Sequence, residues 1–359
     1  MLASAALIPP SAPQAMHIPD GYLSPITSLI LFLLVLPFWY LGARKLRQTM
    51  NARTVPLIAL VAAFSFIIMM FNVPLPGGTT AHAVGGALAA IVLGPEVASI
   101  AISIALIIQA FFFGDGGILA IGANCFNMAL VLPYVSYGIY RAIGGKSDVK
   151  SGRRIAGAAL GGWVGLTAAA FFAAVEFGVQ PALFHTADGT PLYAPYPLSV
   201  SIPAMVIPHM LVASIVEAVV TALVVVYLQR ANQPALEIVD KPTLATEASG
   251  LGKLRALWIG LAVLVIATPL GLLAPGTAWG EWGARELADM GLGFVPKGLE
   301  KLSSIWGAPM PSYDIPVLGN ASLAYVLSAA LGIVLVAVIT WLFTMLLTTR
   351  GSAPIRSEN

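Results

Sequence analysis

The chain has 359 residues, 58% of them hydrophobic and only 9% charged, with 18 Lys and Arg against 16 Asp and Glu for a formal charge of +2. So few charges cannot clothe a soluble globule of this length, and the apolar runs reach membrane-spanning length, so the sequence reads as an all-α polytopic membrane protein. The net charge is too small to point to nucleic acid, and the single cysteine, Cys125, sits inside an apolar run, which leaves neither a disulfide framework nor a thiolate metal cluster.

Residues 1–15, MLASAALIPPSAPQA, carry no Lys or Arg and are interrupted by Pro9 and Pro10, which makes a poor signal peptide. Three readings stay open: an upstream start that is not the true one, a degenerate leader cut before Met16, or a retained tail. Met16-His17-Ile18-Pro19-Asp20-Gly21 comes next. With Met16 as the first residue, its free amine, the His17 backbone nitrogen and the His17 Nδ1 close two adjoining chelate rings on one metal. Four in-plane nitrogens favour Ni(II) or Cu(II).

The first apolar run covers 25–41 and precedes the basic cluster Arg44, Lys45, Arg47 and Arg53; a second covers 54–71. The long apolar tract 82–113 is broken at Gly94-Pro95-Glu96, because proline cannot continue a helix interior, and it reads as two short helices. A Gly114-Asp115-Gly116-Gly117 turn leads to a fifth helix at 118–142, and a sixth runs over 155–176 after a basic loop. The polar stretch 177–196 separates it from a seventh at 201–228. Residues 231–253 form a polar linker, followed by an eighth helix at 254–273, a loop at 274–320 and a ninth helix at 321–347. The natural division is a seven-helix part, 16–230, and a two-helix part, 254–350.

Nine helices with the amino terminus outside and the carboxy terminus cytoplasmic put every Lys and Arg on the inner side except Arg285, Lys297 and Lys301. That is a positive-inside pattern, and it requires the break at Gly94-Pro95. Met16, His17 and the segment entering His82, at the start of the third helix, then share the outer face. A lone membrane histidine is often hydrogen-bonded structure; two beside Pro/Gly-rich, non-helical segments on one side are candidates for one outward-facing pocket. His209 and Glu217, eight apart on the seventh helix and so on roughly one face, are weaker candidates that commonly just pair. Gly157, Gly161 and Gly165 form a small-residue ladder that suits packing within the chain or docking to a partner equally well.

Five ordered motifs carry a resemblance over about 16–230: Met16-His17-Ile18-Pro19-Asp20-Gly21, Gly77-Gly78-Thr79-Thr80-Ala81-His82, Leu93-Gly94-Pro95, Gln109 to Gly117, and Gly122-Ala123-Asn124-Cys125-Phe126-Asn127-Met128. Together they resemble the cobalt/nickel substrate-binding S component, CbiM/NikM type, of energy-coupling-factor (ECF) transporters. The resemblance implies Met16, His17 and His82 as ligands of transported Ni(II) or Co(II), with no permanent cofactor. Asp115, Asn124 and Asn127 are candidates to hold a ligand imidazole from behind, although helix packing or turn chemistry explains them as well. It also implies a bacterial or archaeal cytoplasmic membrane, surrounding lipid, and two kinds of partner: a coupling transmembrane (T) subunit and cytoplasmic ATP-binding subunits.

The carboxy-terminal part is similar to the two-helix accessory subunit of these systems, NikN/PDGLE-like, here apparently fused. Its usual Pro-Asp-Gly-Leu-Glu reads Pro296-Lys297-Gly298-Leu299-Glu300, a departure that bears on the loop's contacts. The chain holds no phosphate loop, since Tyr140 stands where Gly144-Gly145-Lys146-Ser147 would need its first glycine. A stand-alone secondary metal carrier is the alternative reading and a membrane metalloenzyme the third. Nothing in the residues separates nickel from cobalt.

Overall fold

The computed structural model describes residues 16–349 apart from 50–53, 76–78, 146, 232–233, 242, 249 and 275. The expected leader 1–15, Arg53, Gly77, Gly78, Lys146 and the tail beyond 349 lie outside the described residues. The rest is almost wholly helical, because a chain in lipid must satisfy its backbone groups within itself. Six described helical runs are long and apolar enough to cross a membrane: Pro25–Gln48, Pro95–Phe113, Gly152–Leu183, Leu198–Arg230, Leu254–Leu273 and Ala321–Leu347. Shorter apolar helices fill the space between them.

Helix α1 (Pro25–Thr49) carries the basic cluster on its last turns, and α2 (Val55–Ile68) follows. A two-stranded hairpin, β1 (Val73–Leu75) antiparallel to β2 (Thr79–Ala81), then lifts the chain away from α2. The expected break is present: α3 (Gly86–Leu93) stops at Gly94, whose φ of 80° only glycine adopts readily, and Pro95 opens α4 (Pro95–Ile108). A wide π turn, Gln109–Phe113, extends α4 to Gly114. The short α5 (Ile121–Asn124) runs through a second π turn into α6 (Leu132–Gly144), and α7 (Gly152–Gly178) is started by the Ser151 side chain accepting from the Arg153 amide at 3.2 Å. After α8 (Gln180–Leu183) come α9 (Leu198–Pro208), a π turn at His209–Ala213 and α10 (Ser214–Arg230). The linker is folded, with α11 (Leu244–Ala248) and an Arg141–Asp240 ion pair at 2.6 Å. The carboxy-terminal half consists of α12 (Leu251–Ala267), the loop helices α13 (Ala284–Leu287) and α14 (Lys297–Leu302), and α15 (Ala321–Thr349).

Three expectations need correction, each because a distant residue decides a local boundary. The fifth helix starts at Ile121 rather than 118, since the Ile118 and Leu119 amides are taken by the Asp20 carboxylate at 3.0 and 2.8 Å. His82 is not at the start of a helix. It lies in the extended link between β2 and α3, whose first turn is capped by Glu217: the carboxylate accepts from Val84 (2.8 Å), Gly85 (2.9 Å) and Ala87 (3.1 Å). The seventh helix is interrupted after Pro208, which has no N–H to give, and the π turn rotates α10 relative to α9. His209 and Glu217 therefore do not pair; His209 Nδ1 faces the Met205 carbonyl at 2.7 Å.

The centre of the molecule is α2, α3 and α4, where Phe66, Ile67, Ala87, Ala101 and Ile102 are fully buried. Outward faces of α1, α10, α12 and α15 remain apolar, with Leu33, Leu223, Val263 and Leu342 exposed, as a lipid-facing surface requires. Helices α12 and α15 pack on α2, so the two halves share one core. The glycine ladder works within the chain: Cβ atoms on Gly161 and Gly165 would lie 2.6 Å from the Ser136 carbonyl oxygen and 2.1 Å from Ser136 Oγ on α6. Gly161→Val is expected to destabilise the purified protein by about 1–3 kcal/mol through overpacking. Gly260→Ala, with nothing within 4 Å of its added carbon, is expected to leave the unfolding temperature in detergent unchanged or higher.

Candidate metal centre

The site is built on the amino-terminal arm, which lies in a cleft rather than waving free. Ile18 is clamped at both backbone groups by Asn124: its N–H donates to Oδ1 at 3.1 Å and its carbonyl accepts from Nδ2 at 3.1 Å. Gly117 N–H donates to the same carbonyl at 2.9 Å. Ser24 N–H donates to Gln180 Oε1 at 3.0 Å, and the Ala194 amide donates to the Tyr22 carbonyl at 3.0 Å. The glycines of the opposing turn are there for want of room. A Cβ on Gly117 would stand 2.2 Å from Asp20 Oδ1, and one on Gly116, where φ is 93°, would stand 3.0 Å from the His17 Cβ.

The clamped arm delivers Met16 and His17 to Asp115. One carboxylate oxygen, Oδ1, accepts from the Met16 backbone nitrogen at 2.7 Å and lies 3.2 Å from His17 Nδ1. Two nitrogens of adjacent residues thus converge on a single point. The His82 ring meets the His17 ring edge to face, with centroids 5.0 Å apart at 88°, and its Nδ1 lies 3.0 Å from the Ala83 carbonyl. Burial first, and then the nearby His17, push the His82 pKa down to about 4, which favours the neutral ring. His17 Nε2 is buried with no hydrogen-bond partner. Thr80 Oγ1 donates to Met16 Sδ at 3.0 Å, which fixes that side chain too.

Asp115 is held on its other side by the carboxy-terminal half. Tyr313 O–H donates to Asp115 Oδ2 at 2.6 Å, and Gln109 Nε2 donates to the Tyr313 oxygen at 2.9 Å and reaches Asp115 Oδ2 at 3.5 Å. Burial and the adjacent Asp115 raise the Tyr313 phenol well above its ordinary range, which keeps it a donor. Ser312 and Tyr313 have φ of 55° and 60°, left-handed values that cost about 1–2 kcal/mol per non-glycine residue. They are held by Ser328 Oγ donating to the Tyr313 carbonyl at 2.8 Å and by the Tyr313 ring stacking on Phe113 at 4.7 Å. The docking is continued by Trp306 Nε1 and the Met310 amide, which donate to the Phe111 and Phe112 carbonyls at 3.0 and 2.9 Å. Those carbonyls end a helix and would otherwise go unpaired.

The cavity beside the two histidines has a volume near 80 Å³ and is lined by Met16, His17, His82, Asn127, His209 and Glu281 among others. That is room for an ion with a few waters. A larger cavity of about 380 Å³ between α2, α10 and α12 is lined by apolar side chains apart from Tyr227, and offers a metal nothing. Among the described residues, no three His, Cys, Asp or Glu side chains gather closely enough to hold a metal by themselves.

Of the residues singled out by sequence, Met16, His17, His82 and Asp115 come together. Asn124 does so differently, holding the Ile18 backbone rather than an imidazole. Asn127 lines the cavity but gives its amide to Glu176 Oε2 at 2.9 Å, so neither asparagine backs a histidine ring. His209 reaches the cavity wall, whereas Glu217 is a helix cap. Sequence reasoning missed Tyr313 and Glu281, and undervalued Gln109. Glu281 lies in the loop after α12; burial and the charge of Asp115 raise its carboxyl well above the usual carboxylate range.

The same loop brings Pro296-Lys297-Gly298-Leu299-Glu300 onto the arm. Leu299 is buried and its N–H donates to the Leu192 carbonyl at 3.1 Å, while a Cβ on Gly298 would stand 2.4 Å from the Tyr193 ring and one on Gly21 2.8 Å from the Leu299 carbonyl oxygen. Lys297, where the motif departs from its usual form, is exposed.

Comparison with known proteins places this architecture. The family model CbiM, described as a cobalt uptake substrate-specific transmembrane region, matches residues 17–235, and the PDGLE domain matches 253–349. The chain is 52% identical over 336 residues to a fused nickel transport protein NikMN of Rhodobacter capsulatus, covering 89% of this chain and 95% of that one. It is 46% identical over 274 residues to a probable fused nickel transport protein LarMN of Lactiplantibacillus plantarum, covering 76% and 79%. A crystal structure of a truncated transition metal transporter superimposes with a TM-score of 0.56 at 54% identity, covering 60% of this chain and 99% of that one.

Tyr313→Phe removes a buried donor from Asp115 and is expected to cost about 1–3 kcal/mol. The check is thermal unfolding of the purified variant, where Tyr325→Phe, whose phenol serves the Met70 carbonyl away from Asp115, gives the cost of losing a buried phenol elsewhere.

Proposed function

The chain belongs to the CbiM family of cobalt-uptake substrate-specific transmembrane regions, followed by a PDGLE domain, and from that premise we propose that it captures Ni(II) or Co(II) outside the cell as the S component of an ATP-driven ECF transporter. It is a multi-pass transport protein of the cell membrane, not an enzyme. The ligands are the Met16 amine, the His17 backbone nitrogen and Nδ1, and His82. The observation that carries this reading is the convergence of Met16 N and His17 Nδ1 on one Asp115 oxygen, 2.7 and 3.2 Å away, beside the neutral His82 ring. Nitrogens arranged this way need little rearrangement to meet on one ion. The fourth donor must be a side chain, and His82 is the imidazole at hand.

Asp115 has two parts to play. Its negative charge offsets part of the cation's, and its bonds to Tyr313 and Gln109 fix the direction of its lone pairs. A free Met16 amine, which titrates at about pH 8, offers a neutral lone pair, whereas an upstream residue would turn it into a second amide that has to lose its proton, so the mature chain begins at Met16 in this reading. The topology with Met16 outside, nine spans and an inner carboxy terminus follows the positive-inside rule. Coupling to ATP belongs to a separate T subunit and cytoplasmic ATP-binding subunits, whose cycle reorients the chain and releases the ion inside.

Three outcomes are expected. Intact mass of the purified active protein gives a chain starting at Met16; a chain that binds metal while still carrying residues 1–15 overturns the amine ligand. His82→Ala abolishes high-affinity Ni(II) and Co(II) binding in calorimetry while the protein stays folded. In cells, uptake falls to background when an ATP-binding subunit is inactivated, and undiminished uptake refutes the coupling.

A further inference from the structure

Among the described residues that line the cavity, Glu281 is the one carboxylate, and the site described above does not use it. It lines the same 80 Å³ space as His17 and His82. Its Oε2 is shielded from solvent and, among the described residues, has no hydrogen-bond partner. Asp115 differs in this respect, since Oδ1 is met by Met16 and His17 and Oδ2 by Tyr313. Burying a carboxyl oxygen without a partner is costly, so a position that keeps one needs a reason.

The residue is also placed, not incidental. The Glu281 amide closes a turn on the Ala278 carbonyl at 3.2 Å, and the residues around it are tied to the metal-binding half on both sides. On one side Thr80 N–H donates to the Thr277 carbonyl at 3.1 Å, two residues from His82. On the other, Tyr22 O–H donates to the Trp282 carbonyl at 2.5 Å, and the Trp279 ring packs on Tyr196 at 4.7 Å. The loop thus brings an acceptor with no donor into a cavity that also holds the His17 and His82 rings and the unpartnered Asn127 Oδ1. A cation is what such an acceptor takes.

We propose that Glu281 is the entry ligand of the transported cation: its carboxylate takes the divalent ion on the cavity wall and passes it to the nitrogens of Met16, His17 and His82. This rests on the nitrogen site proposed above. Oxygen is the weaker donor for Ni(II) and Co(II) beside amine and imidazole, so the ion moves on instead of staying. The carboxy-terminal domain then contributes to loading through a side chain of its own.

The test is stopped-flow binding of Co(II) and Ni(II) to the purified full-length protein in detergent, with the absorption spectrum of the bound ion as the second readout. Glu281→Gln is expected to slow association by about tenfold or more and to leave the final spectrum unchanged. Glu281→Asp, which keeps the charge, is slowed less than the glutamine variant. Asp289→Asn, which removes an exposed carboxylate of the same loop, associates at the unmodified rate. Association at the unmodified rate in Glu281→Gln overturns the proposal, as does an altered spectrum, which would make Glu281 a permanent ligand. Equal slowing by Asp289→Asn also overturns it, because the effect would then be the general field of the loop. Unimpaired binding by His82→Ala, run alongside, refutes the nitrogen site itself, a separate result. Unfolding temperatures of all variants show that the rates compare folded proteins.

Discussion

One buried carboxylate, Asp115, joins three parts of the chain that are far apart in sequence. Its two oxygens are met by the backbone of Met16, the ring of His17 and the phenol of Tyr313, which lies 198 residues away. A charge in this position is tolerated only when hydrogen-bonded on every side, so each partner depends on the others being in place. The arm must be threaded for Oδ1 to be satisfied, and the carboxy-terminal loop must be docked for Oδ2. That mutual dependence explains why the loop accepts two left-handed residues at Ser312 and Tyr313, and why the turn carrying Asp115 is flanked by glycines that admit the arm. The joint is cooperative, and its weakest member sets how well the arm is held.

Much of this was legible in the residues, and the exceptions share a cause. Composition alone demanded membrane helices, Gly94-Pro95 marked a break that is there, and Met16, His17, His82 and Asp115 could be named from motifs. What could not be read was whatever a distant residue decides. Asp20 takes two amides that would otherwise have begun a helix three residues earlier, Glu217 caps α3 and leaves His82 extended, and Pro208 turns an eight-residue spacing into two different faces. Asn124 and Asn127, three apart on one turn, looked like equivalent partners for an imidazole; one holds a backbone and the other a glutamate. Tyr313 and Glu281 gave no local signal, because a tyrosine or glutamate in a polar loop is ordinary until the loop is seen folded over the arm.

The fused carboxy-terminal region is therefore better described as the other wall of the site than as an appendage. Its helices α12 and α15 lie against α2, and Gly332 comes so near Phe66 that a Cβ there would stand 2.0 Å from the ring. Its loop covers the arm through Gly298 and Leu299, supplies hydrogen bonds to the helix end at Phe111 and Phe112, and reaches Asp115. A covalent link between the halves keeps these contacts intramolecular, so that docking is a matter of loop ordering and not of concentration.

A divalent ion arrives from water inside a shell of oxygens, and the nitrogens proposed to hold it must take the place of part of that shell. Entry is thus a toll on hydration. Magnesium surrenders its waters reluctantly and wants oxygen in return, which the proposed nitrogen ligands do not give. Ions that exchange water for nitrogen at a net gain are the ones the proposed ligands favour, so cations would be sorted by their chemistry with water as well as by their charge.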